Sequence, residues 1–225
     1  MYNFHLAIDI GASGGRHILG FEKDGEIHLE EIHRFPNEMK KNEHSQLVWD
    51  LDFIWNEIII GLKKCKTIGK IPKSVGIDTW GVDFVLVDKY GNPTCPTVAY
   101  RDNRTDGMDD EVSKYVSETE LYNKTGIQKM MFNTIYQLMA IKIKTPQYFA
   151  DATRLLMIPD YLHYKLCGKI ANEYTIASTT GLLNIHTKTW DEKIISRCGF
   201  PQEIFSEITP AGTMLGEITE EIQKT

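Results

Sequence analysis

Three apolar runs separated by two short turns, all within the first 35 residues, constrain the fold of this chain more than anything that follows. Residues 4–9 form an apolar run that ends in Asp9 and passes into Gly11-Ala12-Ser13-Gly14-Gly15-Arg16. A second run covers residues 17–21, Lys23-Asp24-Gly25-Glu26 has the composition of a hairpin turn, and residues 27–35 alternate apolar and polar. Three consecutive antiparallel strands are expected, followed by a polar loop over residues 36–46. Asp50 or Asp52 then caps a helix whose apolar positions Phe53, Ile54, Ile58 and Leu62 recur at helical spacing before the basic end at Lys63, Lys64 and Lys66. That helix should pack across the sheet and lead to a further strand, residues 74–78, which again ends in a carboxylate, Asp78. The corner at 79–83 should turn it into a hairpin with a strand at 84–87, before a turn at 88–92 and the segment Val98-Ala99-Tyr100-Arg101-Asp102. Antiparallel strands followed by a crossover helix and another strand make a mixed sheet, an α/β architecture with ligands at strand ends.

From Thr105 onward helical patterns dominate: residues 106–116, 118–124, a helix capped by the Asn133-Thr134 pair and running to Lys144, then 161–166 and 190–197. No repeat or low-complexity linker divides the 225 residues, so the strand-rich and helical halves are read as one unit. Apolar and charged fractions of 42% and 25% are those of a globular protein with a substantial core. A formal net charge of −6 disfavours nucleic acid or an anionic membrane surface as partner, and leaves small molecules. The four cysteines are widely spaced, no secretory leader is evident and the longest apolar run is too short to span a bilayer, so a cytoplasmic protein with reduced thiols is expected. The seven histidines are scattered without ligand spacing, which argues against a zinc site.

Two stretches carry candidate chemistry. In the first, glycines after a strand let backbone N–H groups approach an anion, with Ser13 adding a hydroxyl, Arg16 a positive fork, and Asp9 a hard oxygen ligand for an accompanying magnesium ion. The alternative is a hairpin turn in which Asp9 bonds turn amides and the glycines supply positive φ. In the second, Asp78-Thr79-Trp80-Gly81-Val82-Asp83 gathers two carboxylates, an indole and a glycine at one corner. Carboxylates accept from sugar hydroxyls, an aromatic face covers the apolar side of a sugar ring, and Gly81 would bring a ligand against backbone. Here the alternative is a core tryptophan with both aspartates satisfying turn amides. The polar cluster Tyr100-Arg101-Asp102-Asn103-Arg104 is either a binding element or a solvated ion network.

These segments, together with Gly126-Ile127-Gln128, Phe132-Asn133-Thr134-Ile135-Tyr136-Gln137-Leu138, Met157-Ile158-Pro159-Asp160-Tyr161, Glu173-Tyr174-Thr175 and Ala177-Ser178-Thr179-Thr180, occur in the order seen in the FGGY carbohydrate kinases. The chain resembles that family over essentially its whole length, and most of all its members that act on L-rhamnulose. The resemblance implies an actin-like, ribonuclease-H-type domain, a mixed sheet flanked by helices, spanning residues 1–225 as the first of two domains. It implies transfer of the γ-phosphoryl group of ATP, with Mg2+, to L-rhamnulose or a related ketose. Ala12, Ser13, Gly14, Gly15 and Arg16 would meet the ATP phosphates, and Asp9 would lie near magnesium through water. Gly81 would touch the sugar, with Trp80, Asp83, Arg101, Phe132 and Asn133 as further pocket members. Gly14 departs from the resembled pattern, which has a second serine there. The family's second domain carries its catalytic aspartate, so no catalytic base is expected in this chain and turnover by it alone is not expected. A kinase for another ketose or polyol, or a non-catalytic sugar-binding module, are the competing readings.

Overall fold

The computed structural model describes residues 2–224. Strands β1 (Phe4–Gly11), β2 (Gly14–Lys23) and β3 (Glu26–Pro36) form the expected antiparallel meander. The β2–β3 turn places Asp24 and Gly25 at φ 55° and 82°, the left-handed pair that matches a two-residue hairpin to the strand twist. The first hairpin is different: Gly11 pairs with Gly14 across Ala12 and Ser13, and neither Gly14 nor Gly15 has a positive φ. Residues 36–46 are not loop throughout, because β4 (Lys40–Lys41) pairs with β5 (Leu47–Val48).

Helix α1 (Leu51–Thr67) is capped by Asp50, not Asp52: the Asp50 carboxylate accepts from the Phe53 N–H at 2.9 Å. Its buried residues Ile54 and Ile58 share a core with Leu6, Ile8, Ile10, Leu19 and Phe35, the inward positions of the alternating strands. The chain then re-enters the sheet as β6 (Pro72–Thr79), parallel to β1, in the order β3-β2-β1-β6. The free edge of β6 is satisfied in part by a side chain, the Ile77 N–H donating to His163 Nε2 at 3.0 Å.

The expected β6–β7 hairpin does not form. Strand β7 (Phe84–Val87) leaves the sheet and pairs antiparallel with β8 (Arg154–Met157), about seventy residues later, in the register Phe84↔Met157. All four residues of β7 are buried, so its pattern names no solvent face and no partner. The segment after the 88–92 turn returns instead to β5, with Trp49 N–H donating to the Thr97 carbonyl at 2.9 Å and Ala99 N–H to Leu47 at 2.8 Å.

The helical part comprises α2 (Met108–Ser113), α3 (Glu118–Thr125), α4 (Thr134–Lys144), α5 (Ile158–Cys167), α6 (Tyr174–Ala177), α7 (Glu192–Cys198) and α8 (Glu220–Lys224). Helix α2 is shorter than its pattern because Gly107 is left-handed at its start, and α7 begins after Trp190 because Asp191 caps it through the Ile194 N–H. The β7–β8 ribbon separates two hydrophobic cores. Val85, Val87, Leu156 and Ile158 face the sheet and α1, while Phe84, Leu86, Leu155 and Met157 face α2, α4 and α7. The four cysteines are free, and no helix among the described residues is long and apolar enough to cross a membrane.

Candidate functional site

Strands β1 and β6 run parallel with Ile10 opposite Thr79, so both candidate stretches emerge at the same end of the sheet, side by side. At that level a row of charge crosses one sheet face: Arg34 pairs in register with Arg16, Arg16 with Asp9, and Asp9 with Asp78. The Arg16 guanidinium donates to Asp9 Oδ2 through Nε at 3.0 Å and Nη2 at 2.8 Å, with both side chains about half exposed.

Beside this row lies an open cleft of about 700 Å³ lined by Asp9, Gly11, Ser13, Gly14, Gly15, Arg16, Arg34, Phe35 and Pro36. Five of the six residues expected around phosphate and magnesium line it; Ala12, in the turn itself, does not. Close approach explains the glycines better than φ does. A Cβ on Gly15 would lie 2.2 Å from the Phe35 ring, and one on Gly14 3.0 Å from the Phe35 carbonyl. Buried Asn37 holds the turn from beneath, its Nδ2 donating to the Gly11 carbonyl at 2.9 Å and its N–H to that of Ser13 at 3.3 Å. Neither Asn37 nor Arg34 stood out in the sequence. Two guanidinium groups, a free hydroxyl and a small-residue turn suit a phosphate. Among the described residues no group of three or more His, Cys, Asp or Glu could hold a metal by itself, so a magnesium ion here would depend on phosphate oxygens and water with Asp9.

The second site is the corner between β6 and β7. Asp83 is fully buried, and its carboxylate is committed to the protein. Oδ2 accepts from Trp49 Nε1 at 2.7 Å, Trp80 Nε1 at 2.9 Å and the Tyr100 N–H at 3.1 Å, while Oδ1 accepts from Gln137 Nε2 at 3.0 Å. Burial pushes its carboxyl group up from the usual range, and the four donors pull against that shift. Arg104 is the facing charge: burial lowers its pKa, Asp83 and Asp102 raise it, and its guanidinium donates to Gln137 Oε1.

Around Asp83 the aromatic rings form a wall. Trp49 and Trp80 lie 4.1 Å apart between ring centroids, Tyr100 meets Phe132 edge-on at 5.5 Å, and Arg101 is exposed with Nε donating to the Tyr100 hydroxyl at 3.0 Å. Gly81 lies against the 3₁₀ turn Ser178–Thr180, where a Cβ would meet Thr179 at 3.0 Å. Asn133 occupies the N-cap position of α4 without capping it; its side chain accepts from the Met130 N–H at 2.7 Å and donates to the Thr179 carbonyl at 3.1 Å. Trp80, Gly81, Asp83, Arg101, Phe132 and Asn133 are thus gathered by one continuous set of contacts, which also includes Trp49, Tyr100, Gln137 and Thr179.

Residues 4–225 match the model of the N-terminal domain of the FGGY family of carbohydrate kinases. The chain belongs to this family. It is 50% identical to the rhamnulokinase of Halalkalibacterium halodurans over 219 residues, covering 97% of this chain and 46% of that protein. With the rhamnulokinase of Oceanobacillus iheyensis it shares 46% identity over 224 residues, 100% of this chain and 47% of that protein. The chain therefore spans about half the length of the curated relatives it matches. Among solved structures, gluconate kinase from Lactobacillus acidophilus superposes with a TM-score of 0.87 at 18% identity, over 100% of this chain and 45% of that one. Ligand-bound xylulose kinase from the same organism gives 0.86 at 19% identity, over 99% and 45%. At such identities the likeness concerns the fold, and this FGGY kinase chain has the actin-like, ribonuclease-H-type α/β fold expected of it.

Proposed function

We propose that this chain, residues 1–225, is the sugar-binding and phosphate-cradling first domain of a cytoplasmic rhamnulokinase, which transfers the γ-phosphoryl group of ATP to L-rhamnulose to give L-rhamnulose 1-phosphate. The observation that carries this reading is the parallel register of β1 and β6, which sets a phosphate-compatible cleft and an aromatic, sugar-compatible corner next to one another. Identity of 46–50% to two proteins named rhamnulokinase supports the choice of sugar.

ATP with magnesium would supply the phosphoryl group and neutralise part of its charge. The residues of this chain bind and orient. Ser13 and the Gly14-Gly15 backbone would receive phosphate oxygens, Arg16 and Arg34 would oppose their charge, and Asp9 would help to hold the metal through water. Trp80 and Gly81 present a ring face and bare backbone to the ketose, with Phe132 and Arg101 at its margin. Asp83 aligns the two indoles and does not serve as base, because both its oxygens are already engaged. Phosphoryl transfer depends on positioning together with a group that accepts the hydroxyl proton, and that group is assigned to a second domain.

A phosphorylation assay of the full-length protein across ketoses and polyols tests the proposal, with Arg16→Ala as control. Preferred turnover of L-rhamnulose, lost with a raised KM for ATP in the variant, is the expected result. Preference for another ketose would reassign the substrate, and sugar binding without turnover would leave a binding module.

A further inference from the structure

At the centre of the corner, Val82 has φ +68°. A β-branched residue rarely occupies the left-handed region, and holding it there costs roughly 1–3 kcal/mol, so such a conformation persists only where the surroundings over-determine it. Three side chains do so here, Thr134 and Gln137 buried and Thr179 half-buried. The Val82 N–H donates to Thr179 Oγ1 at 3.0 Å, and the Val82 carbonyl accepts from Thr134 Oγ1 at 2.7 Å and from Gln137 Nε2 at 3.1 Å. Thr179 is itself anchored, donating to the Ile176 carbonyl at 2.8 Å.

Gln137 differs from the two threonines in how many parts of the site it joins. Its Nε2 reaches not only Val82 but also Asp83 Oδ1 at 3.0 Å and the Phe132 carbonyl at 2.9 Å, while Oε1 accepts from Arg104. It projects from the fully buried start of α4 and is 1% exposed, so it cannot meet a sugar directly. One amide thus ties the strained peptide, the carboxylate that orients Trp80 and Trp49, and the backbone that carries the Phe132 ring.

We propose that Gln137 is a positioning residue for the ketose: by holding the left-handed Val82 peptide and the Asp83 carboxylate together, it sets where Gly81 and the Trp80 ring face meet the sugar. This rests on the assignment of the corner to the sugar. Without the amide, Val82 keeps the Thr134 and Thr179 bonds and Asp83 keeps three donors. The domain should therefore stay folded while the corner relaxes towards ordinary φ.

The test replaces the amide by an unbranched apolar chain, Gln137→Met, in the full-length protein. A rise of about tenfold in KM for the ketose is expected, with KM for ATP within about twofold and kcat within about threefold. Glycine adopts positive φ without steric penalty, so adding Val82→Gly to Gln137→Met should return KM for the ketose to within about threefold of the parent. A crystal structure of Gln137→Met supplies a readout independent of activity: Val82 should leave the left-handed region or the Trp80 ring should shift. Unchanged Val82 and Trp80 geometry would overturn the proposal, as would parallel increases in both KM values that follow a loss of thermal stability. If the parent protein phosphorylates no ketose, the functional assignment fails, and the crystallographic comparison alone decides whether Gln137 sets the corner.

Discussion

At the scale of single residues, two buried contacts lead to measurable expectations. The Phe35 ring fills the space beside Gly15, where a Cβ would sit 2.2 Å from it, and Phe35 is itself in the core beneath the turn. Gly15→Ala should therefore destabilise the chain by about 1–3 kcal/mol through overpacking, measured by chemical denaturation, whereas Ser13→Ala at the exposed tip should stay within about 0.5 kcal/mol. His17 makes a second expectation. It lies between β2 and α1 with both ring nitrogens buried and unpartnered, so close to the helix that a Cβ on Gly61 would lie 2.3 Å from the ring. Burial first, then the neighbouring His33 and Lys64, lower its pKa from 6.5 to about 4, the Ile58 backbone being too weak an opponent to prevent it. Between those values the unfolded chain binds a proton that the folded chain refuses. His17 thus removes stability as pH falls from about 6.5 to about 4, by roughly 3 kcal/mol in all. Denaturation at pH 7 and pH 4.5 should show a smaller loss in His17→Leu than in the parent. Equal losses would place the acid sensitivity elsewhere. The sequence offered His17 only as a scattered histidine, since burial depends on Gly61, 44 positions away.

Among the elements, legibility followed the range of the interactions that build each one. Strands β1 to β3 and helix α1 are written in local signals: the Asp24-Gly25 turn, period-two alternation, and a capping carboxylate before a helical stripe. The partner of β7 was illegible because a strand buried on both faces gives no alternation, and β8 pairs with it across the three helices α2, α3 and α4. The site divides in the same way. The glycine turn and the Thr79-to-Phe84 corner announced themselves, but Trp49, Asn37 and Gln137 act only once the fold brings them to those segments. Asp83 was expected beside the sugar on its chemistry; its role as acceptor for two indoles became evident only from their positions. One local signal left a choice, between Asp50 and Asp52 as the cap of α1. The bond to the Phe53 N–H, with help from Lys40 at 3.0 Å, holds the Asp50 carboxyl below its usual pKa. Asp50→Ala should cost about 1 kcal/mol at neutral pH and Asp50→Asn much less, and the parent's margin over Asp50→Asn should vanish as pH falls through the lowered pKa and the parent carboxylate protonates. Asp52→Ala should leave thermal stability almost unchanged. A larger loss at Asp52 than at Asp50 would show that the first turn of α1 is held by something other than its cap.

For the molecule as a whole, the two hydrophobic cores raise the question of whether they fold together. A chain of 225 residues exceeds the size at which single two-state transitions are the rule, and a sheet core beside a helical core offers two candidate folding units. The β7–β8 ribbon argues for coupling, because alternate residues of the same two strands close both cores: Val85 and Leu156 one, Leu86 and Leu155 the other. Losing the ribbon from either side strips the other of a wall. Leu86→Ala should destabilise by about 2–5 kcal/mol, and Val85→Ala by less because fewer buried atoms are removed. Coupling makes a sharper claim than either magnitude. Both substitutions should reduce amide-exchange protection in β2, within the sheet core, and in α7, within the helical core, by the same free energy. A single denaturation midpoint should move with its slope unchanged. If Leu86→Ala instead lowers protection in α7 alone and leaves β2 intact, the ribbon is a boundary and not a shared wall. The phosphate cleft, which stands on β1 to β3, would then keep its shape when the helical core opens, while the sugar corner, held by Thr134, Gln137 and Thr179 from the helical side, would not. Cooperativity between the cores is therefore what keeps the two halves of the proposed site in register.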